Sequence, residues 1–398
     1  MSEPSRVPEH VASPTGSKLQ GTEKLHIALV APLVTPIAAP FLGGAQVLLH
    51  DLAIGLARRG HEVTLFAASG SKLSDSRGNI PATLHLDEVE VASGELSPAD
   101  FQSMGENFDA GAFFRQGELF LQIFLKINRP GRNFDIAHAH AFDWPAYALS
   151  PLSKVPVVHT VHLPSVDPHI NAALRTTYQQ TGRSQAVTVS KACAETYQTD
   201  FVFDRVIYNG IDTDSIPFGP EGEGFLLFAG RMAPEKGPDL AIEIARQAGR
   251  KLVLAGGIYD RAFFEEKIQP QLEADSNLEY VGLLERADLH RLMSRADGLL
   301  FPSRWEEPFG LVLAESLAAG TPVISWQRGA APEIVTDGRT GFLRPYLDTE
   351  GAAAAVHQLD RLDRRECRRQ IEDKFSYEKM LDDYIDYYRE VINECQGR

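Results

Sequence analysis

The chain is short of positive charge. Its 398 residues carry 39 Lys and Arg against 54 Asp and Glu, a formal net charge of −15. A general nucleic-acid binder needs a basic surplus to displace phosphate counterions, so the balance argues against that class and leaves room only for a local basic pocket. Cysteine is scarce. Cys193, Cys367 and Cys395 show no ligand spacing, and one must stay unpaired in any monomer, so neither a disulfide framework nor a structural zinc is expected. No apolar run approaches the length of about 18 residues that a membrane-spanning helix needs. The most apolar stretch, Leu119–Ile127, is interrupted by Gln122 and Lys126. Residues 1–24 are polar, contain Pro4, Pro8 and Pro14, and lack the apolar core of a signal peptide. They read as a disordered lead-in, and the expected compartment is the cytoplasm.

What the chain does have is a repeated alternation of short apolar runs and amphipathic segments. Leu25–Ala31 reads as a strand. A loop with Pro32, Pro36 and Pro40 follows and ends in Gly43-Gly44. Ala45–Arg59 then reads as a helix stopped by Gly60, and Glu62–Ala67 as the next strand, a βαβ unit. Residues 70–133 carry only short amphipathic pieces. Strands resume at Asp135–His138, Val155–His159, Ala186–Val189 and Val206–Tyr208. A turn- and proline-rich stretch, Ile211–Gly224, reads as a linker. The second half gives six strands: Phe225–Ala229, Lys251–Ala255, Leu278–Val281, Gly298–Phe301, Pro322–Ser325 and Gly341–Leu343. Helices are expected at Pro238–Ala248, Ala287–Ala296 and Leu311–Ala319, and a long tail helix at Tyr377–Ile392. The fold class is therefore α/β, with two doubly wound domains facing a cleft. The expected division is a lead at 1–24, a first domain at 25–210, a second at 211–375 and a closing helix at 376–398. Ligands in such sheets sit at strand carboxyl ends.

Two segments carry chemistry. In Phe225–Gly237 a buried strand runs into a Gly230-Arg231 turn, which throws Arg231 and Lys236 out beside the next helix. Two cations there suit a diphosphate. In Ser303–Gly320, Glu307-Pro308-Phe309-Gly310 opens a helix whose first amides form an anion site. Glu315 follows Glu307 by eight residues, about 12 Å along a helix. That exceeds the roughly 5–9.5 Å of a two-carboxylate hydrolase pair. It suits the two ends of a sugar nucleotide, with Glu315 on ribose hydroxyls and Glu307 on sugar hydroxyls.

These motifs, in their order, resemble a family 4 retaining glycosyltransferase of GT-B fold. They are Arg231-x4-Lys236, Glu307-Pro-Phe-Gly-Leu-Val-Leu-Ala-Glu315 and Ala319-Gly-Thr-Pro-Val-Ile. Ala28–Pro32 with Gly43-Gly44, Arg59-Gly-His-Glu-Val-Thr-Leu-Phe-Ala, Asp135-Ile-Ala-His-Ala-His140, Tyr208-Asn-Gly-Ile-Asp212 and Gly329-Ala-Ala-Pro-Glu-Ile-Val add to the likeness, which spans about residues 25–395 and is weakest at 70–133.

The resemblance implies transfer of a hexose from a nucleoside-diphosphate sugar to an acceptor hydroxyl, with no cofactor and no metal. Uridine diphosphate sugar is the default donor by frequency; the acceptor is a saccharide, a lipid or a small metabolite. Arg231, Lys236, His140 and Glu307 would be catalytic. Gly44, Gly230, Gly256, Gly257, Val281, Leu283, Pro308, Phe309, Gly310, Leu311 and Glu315 would bind the donor. Gly43, Asp143 and His162 would meet the acceptor, with helix capping the alternative for Asp143. His138 and His159 are expected to be satisfied structural histidines. Asp212-Thr-Asp214 reads as linker capping rather than a metal motif. Arg361, Arg364, Arg365, Arg368 and Arg369 read as a solvated helix face with some chance of anionic-membrane contact. Alternatives with other chemistry are a sugar-nucleotide epimerase, a disaccharide phosphorylase, a nicotinamide oxidoreductase and a non-catalytic sugar-binding protein. Against the oxidoreductase, no G-x-G-x-x-G follows either leading strand.

Overall fold

A computed structural model describes residues 23–39, 41, 43–74, 78–91, 110–181, 184–197 and 201–396; the expected lead-in falls almost wholly outside them. Two parallel sheets form the frame. The first contains β1 (His26–Val30), β2 (Glu62–Ala68), β3 (Leu84–Val89), β4 (Ile136–Ala139), β5 (Val157–Val161), β6 (Ser184–Thr188) and β7 (Arg205–Val206), in the order β3-β2-β1-β4-β5-β6-β7. The second contains β8 (Phe225–Ala229), β9 (Lys251–Ala255), β10 (Leu278–Gly282), β11 (Gly298–Phe301), β12 (Val323–Trp326) and β13 (Gly341–Arg344), in the order β10-β9-β8-β11-β12-β13.

Both sheets reverse their winding beside the leading strand. Ile27 pairs with Val63 on one side and Ile136 on the other, and Leu227 sits between Val253 and Leu299. The carboxyl ends at these switch points are where a doubly wound sheet opens a crevice. Strands covered by helices on both faces are apolar throughout, which is why β1, β8 and β11 read so plainly as FLLFA-type runs.

The tail helix Tyr377–Gln396 belongs to the first domain's packing. Met380, Leu381, Tyr384 and Tyr388 are buried against Leu29, Leu52, Ile136 and Val158. Its start is tied to the linker, where Tyr377 N–H donates to Ile211 O and Ile211 N–H to Phe375 O. Asp212 Oδ1 accepts from the Asp214 amide at 3.2 Å, so Asp212 caps the short turn at Thr213–Ser215.

The basic run is not a solvated face as a whole. Arg364 donates to the carbonyls of Gly219, Ser294 and Ala296 and to Thr321 Oγ1, and Arg368 to those of Thr213, Ile216 and Ala318. Arg361, Arg365 and Arg369 stay exposed. A guanidinium has five donors in a fixed fork, and these two spend most of theirs on carbonyls of the linker and of neighbouring turns, with Arg364 also reaching Thr321 Oγ1 and Arg368 Nε the Glu372 carboxylate. Among the elements that escaped the sequence pattern are β3 and the helix Ala110–Ile127. Among the described residues no helix is long and apolar enough to cross a membrane.

Candidate active site

Two adjoining cavities lie between the domains, at the carboxyl ends of β1, β4, β5, β8 and β11. The larger, about 540 Å³, is walled by Gly43, Gly44 and His162 from the first domain and by Arg231, Lys236 and Glu307–Val312 from the second. The smaller, about 280 Å³, shares Gly43, Gly44, Gly230, Arg231 and Leu311 and adds Gly256, Gly257, Leu283, Arg286 and Glu315.

Strand β8 delivers the cations. After Ala229 the chain turns, and Arg231 lies with its guanidinium 4.3 Å from the Tyr259 ring centre and Nη2 3.0 Å from Glu235 Oε1. A short turn, Pro234–Lys236, ends at Gly237 with φ 73°; a Cβ there would lie 2.3 Å from Pro302 O, so only glycine fits against the end of β11. Lys236 Nζ then donates to Glu307 Oε2 at 2.6 Å, with both side chains 17% exposed. Gly310, at φ 86°, sits at the N-cap of the helix Leu311–Ala318 and offers no side-chain cap. The positive end of the helix dipole therefore faces the cavity beside Lys236.

Gly256 closes the wall between the β8 and β9 loops. Its φ is 146°, and a Cβ would lie 1.8 Å from Gly230 O. Gly256→Ala should cost about 3 kcal/mol of stability through backbone strain and displacement of the Gly230-Arg231 turn. Urea denaturation of the variant checks this.

Glu315 is buried at the smaller cavity. Its Oε1 accepts from Arg286 Nε at 3.3 Å and lies 3.3 Å from His290 Nε2. Burial pushes its carboxyl up, but His290 and Arg286 outweigh that and hold it below the usual range. Arg286 also reaches across the cleft, 2.8 Å from Asp51 Oδ2 in the helix Gly44–Arg58. A second bridge joins the domains: Glu333 accepts from the amides of Lys191 and Ala192 and from Tyr208 Oη.

The histidines form a chain. His162 Nε2 lies 2.9 Å from His140 Nδ1, His140 Nε2 3.3 Å from His138 Nδ1, and His138 Nδ1 2.5 Å from Tyr388 Oη. Burial lowers all these imidazoles, His162 to about 4, and keeps them neutral at pH 7. His159 packs on Tyr147, 4.9 Å between ring centres, with neither nitrogen hydrogen-bonded. Burial takes it down to about 3. Among the described residues no group of three or more His, Cys, Asp or Glu side chains is placed to hold a metal ion.

Comparison with known proteins agrees with this fold. The Glycosyltransferase Family 4 profile matches residues 42–215 and the Glycosyl transferases group 1 profile residues 212–374. This chain belongs to the family 4 glycosyltransferases of GT-B fold. It is an enzyme of the glycosyltransferase class. It is 28% identical over 349 residues to the glycogen synthase of Mycobacterium tuberculosis, covering 80% of this chain and 82% of that one. It is 27% identical over 419 residues to the D-inositol 3-phosphate glycosyltransferase of Mycobacterium bovis, covering 92% and 84%. In structure it resembles a sucrose-phosphate synthase from Thermosynechococcus elongatus, with TM-score 0.75, 18% identity and coverage of 93% and 100%. It also resembles Anabaena HepE, solved with UDP and glucose, with TM-score 0.69, 17% identity and coverage of 91% and 99%.

In this glycosyltransferase several expected positions sit elsewhere. His140 does not line either cavity: it is buried, and both its nitrogens are taken by His138 and His162. His162 is the histidine at the wall. Asp143 is also buried away from the cavities; it neither caps the helix Trp144–Leu149 with its side chain nor orients His140. Its Oδ1 accepts from Gln116 and its Oδ2 lacks a partner, and burial raises the carboxyl to about 7. Val281 packs into the second domain's core, while Leu283 lines the smaller cavity. His159 is structural but not satisfied. Sequence reasoning missed Arg286 and Asp51, since 235 residues separate them and neither sits in a motif.

Proposed function

We propose that this glycosyltransferase moves a hexose from uridine diphosphate sugar to an acceptor hydroxyl with retention of configuration. One observation carries the reading: Arg231, Lys236 and the helix start at Gly310 converge on one cavity, and a buried carboxylate, Glu315, opens onto the adjoining one. The diphosphate would lie against the cations and the helix amides. The ribose would meet Glu315, and the base would occupy the space beside Gly256, Gly257 and Leu283. Glu307 would exchange part of its bond with Lys236 for hydroxyls of the donor sugar. UDP and glucose bound in HepE support this choice of donor.

The reaction breaks the bond between the anomeric carbon and a diphosphate oxygen. It forms a bond from that carbon to the acceptor oxygen on the same face. The acceptor's proton passes to the departing diphosphate. Arg231 and Lys236 stabilise the negative charge that gathers there, and because they are already in place no reorganisation is needed at the reacting moment. Recognition of the acceptor would fall to the first domain's wall.

A thermal-shift panel with UDP, GDP, ADP and NADH tests the donor. UDP at ~100 times its dissociation constant should add about 2.7 kcal/mol to the folded state. Anomeric coupling in the NMR spectrum of the product tests retention. Stabilisation by NADH and not by UDP would sink the proposed donor, and an inverted product would sink the same-face route.

A further inference from the structure

The ladder between β8 and β9 continues past the ends of its strands. Gly230 N–H donates to Ala255 O at 3.0 Å and Met232 N–H to Gly257 O at 2.8 Å. The amides of Tyr259 and Asp260 both donate to Met232 O, at 3.3 and 3.2 Å. Asp260 in turn caps the helical turn that follows, its Oδ1 accepting from the Phe263 amide at 2.9 Å. Tyr259 is thus fixed at its backbone against the same turn that carries Arg231. Its side chain has no place in the core: the residue is 40% exposed, and it lines neither cavity. The ring lies instead against Arg231, whose guanidinium carbon sits 4.3 Å over its centre. Glu235 holds the guanidinium at one end, through Nη2. Among the described residues, Nε and Nη1 of Arg231 have no hydrogen-bond partner, and Arg231 lines both cavities.

We propose that Tyr259 is a positioning residue for the donor diphosphate: its ring holds the Arg231 guanidinium at the cleft with the Nε and Nη1 donors free for phosphate oxygens. An aromatic face attracts a cation without taking any of its N–H groups, so it fixes the side chain and does not compete with a ligand for donors. A carboxylate in the same place would take those donors itself. Arginine has a long side chain with several rotatable bonds, and ordering it before the donor arrives removes that entropy cost from binding. Tyr259 and Glu235 divide the task. The ring acts on the face of the guanidinium and the carboxylate on one end, and the donors that remain are the ones a phosphate can meet. The role of Tyr259 rests on the diphosphate role of Arg231 proposed above.

The affinities of the full chain for UDP and for uridine, measured by calorimetry and by NMR titration, test it. Tyr259→Ala should weaken UDP binding by about 3–10-fold, the size of one cation–π contact. It should leave uridine unchanged, because uridine carries no phosphate. Tyr259→Phe keeps the ring and should bind UDP about as tightly as wild type. Arg231→Ala should lose more, and adding Tyr259→Ala to it should cost nothing further. The melting temperature of the unliganded Tyr259→Ala protein should hardly move, since the ring is exposed. Equal weakening of UDP and uridine would mean that Tyr259 only props the base cavity. Losses that multiply in the double variant would mean that it acts apart from Arg231. Either result overturns the proposal, and so does a Tyr259→Ala protein that binds UDP like wild type. Failure of the donor reading looks different: wild type would then bind UDP no more tightly than uridine. GDP with guanosine, or ADP with adenosine, replaces the pair if the thermal-shift panel selects that diphosphate, and binding of none of them overturns both readings.

Discussion

Lys236→Ala is expected to lower kcat/KM by roughly 10²–10³, the usual loss when one preorganised group facing developing charge is removed. The argument against a trivial cause lies in its partner. Lys236 Nζ is 2.6 Å from Glu307 Oε2, and both side chains are mostly buried. Removing the ammonium leaves Glu307 without its ion partner beside the proposed phosphate site, where a bare carboxylate would repel the ligand. Part of the loss would then be repulsion rather than missing stabilisation. Lys236→Ala combined with Glu307→Gln separates the two: it relieves the repulsion but restores no cation. Turnover should stay near the single variant's level if Lys236 acts on the diphosphate. Recovery to within a few-fold of wild type would assign the defect to Glu307 instead. Near-normal turnover in Lys236→Ala itself would remove the phosphate role altogether. The stability change should be far smaller, because the pair is only partly withdrawn from solvent and its Coulomb gain is offset by desolvation.

Much of this site was legible because its chemistry is local in sequence. Arg231 and Lys236 lie on one turn, and Glu307, Gly310 and Glu315 on one loop and helix; spacing alone placed them at a strand's carboxyl end. The second domain's strands Phe225–Ala229, Lys251–Ala255 and Gly298–Phe301 are buried on both faces, so their apolar runs have sharp ends. β3 is an edge strand in which only Leu84 and Val89 are buried, so no alternation shows. The helix Ala110–Ile127 exposes Leu121 and Leu125 on its outer side, which blurs the apolar stripe. The histidines illustrate a different limit. Strand alternation put His138 and His140 on one side, but that neither meets the cleft follows from His162, just after β5, lying between His140 and the cavity and from the tail helix covering the other end. Such a contact belongs to sheet register and long-range packing, and no local pattern encodes it.

The same buried histidines set how the fold responds to acid. His138, His140, His159 and His162 all have their protonation pushed far below the ordinary imidazole value of 6.5, first by desolvation, with His159 reaching about 3 and His162 about 4. Between about pH 4 and 6.5 the unfolded chain binds more protons at these four positions than the native chain does. Asp143 acts in the opposite sense: burial raises it to about 7, so the native state holds a proton there that the unfolded state lacks. The balance is about three protons taken up on unfolding. Stability must therefore fall as pH falls, with a slope that approaches about 4 kcal/mol per pH unit only in the middle of this window. His61 shifts the same way and adds to the slope. Urea midpoints at pH 7.5, 6.5 and 5.5 would show it, and a flat profile would mean that the histidines are not held neutral. His159→Phe isolates one contributor. Its imidazole has two buried nitrogens without partners and an aromatic neighbour in Tyr147, which a phenyl ring can retain. The substitution should stabilise the protein at pH 7.5 by about 1–3 kcal/mol, the usual cost of a buried unpaired polar group. It should also reduce the acid slope by one proton, about 1.4 kcal/mol per pH unit. Because His159 stands outside the chain that ends at His162, the gain should come with turnover unchanged, and a loss of turnover in His159→Phe would show that the two are packed as one unit.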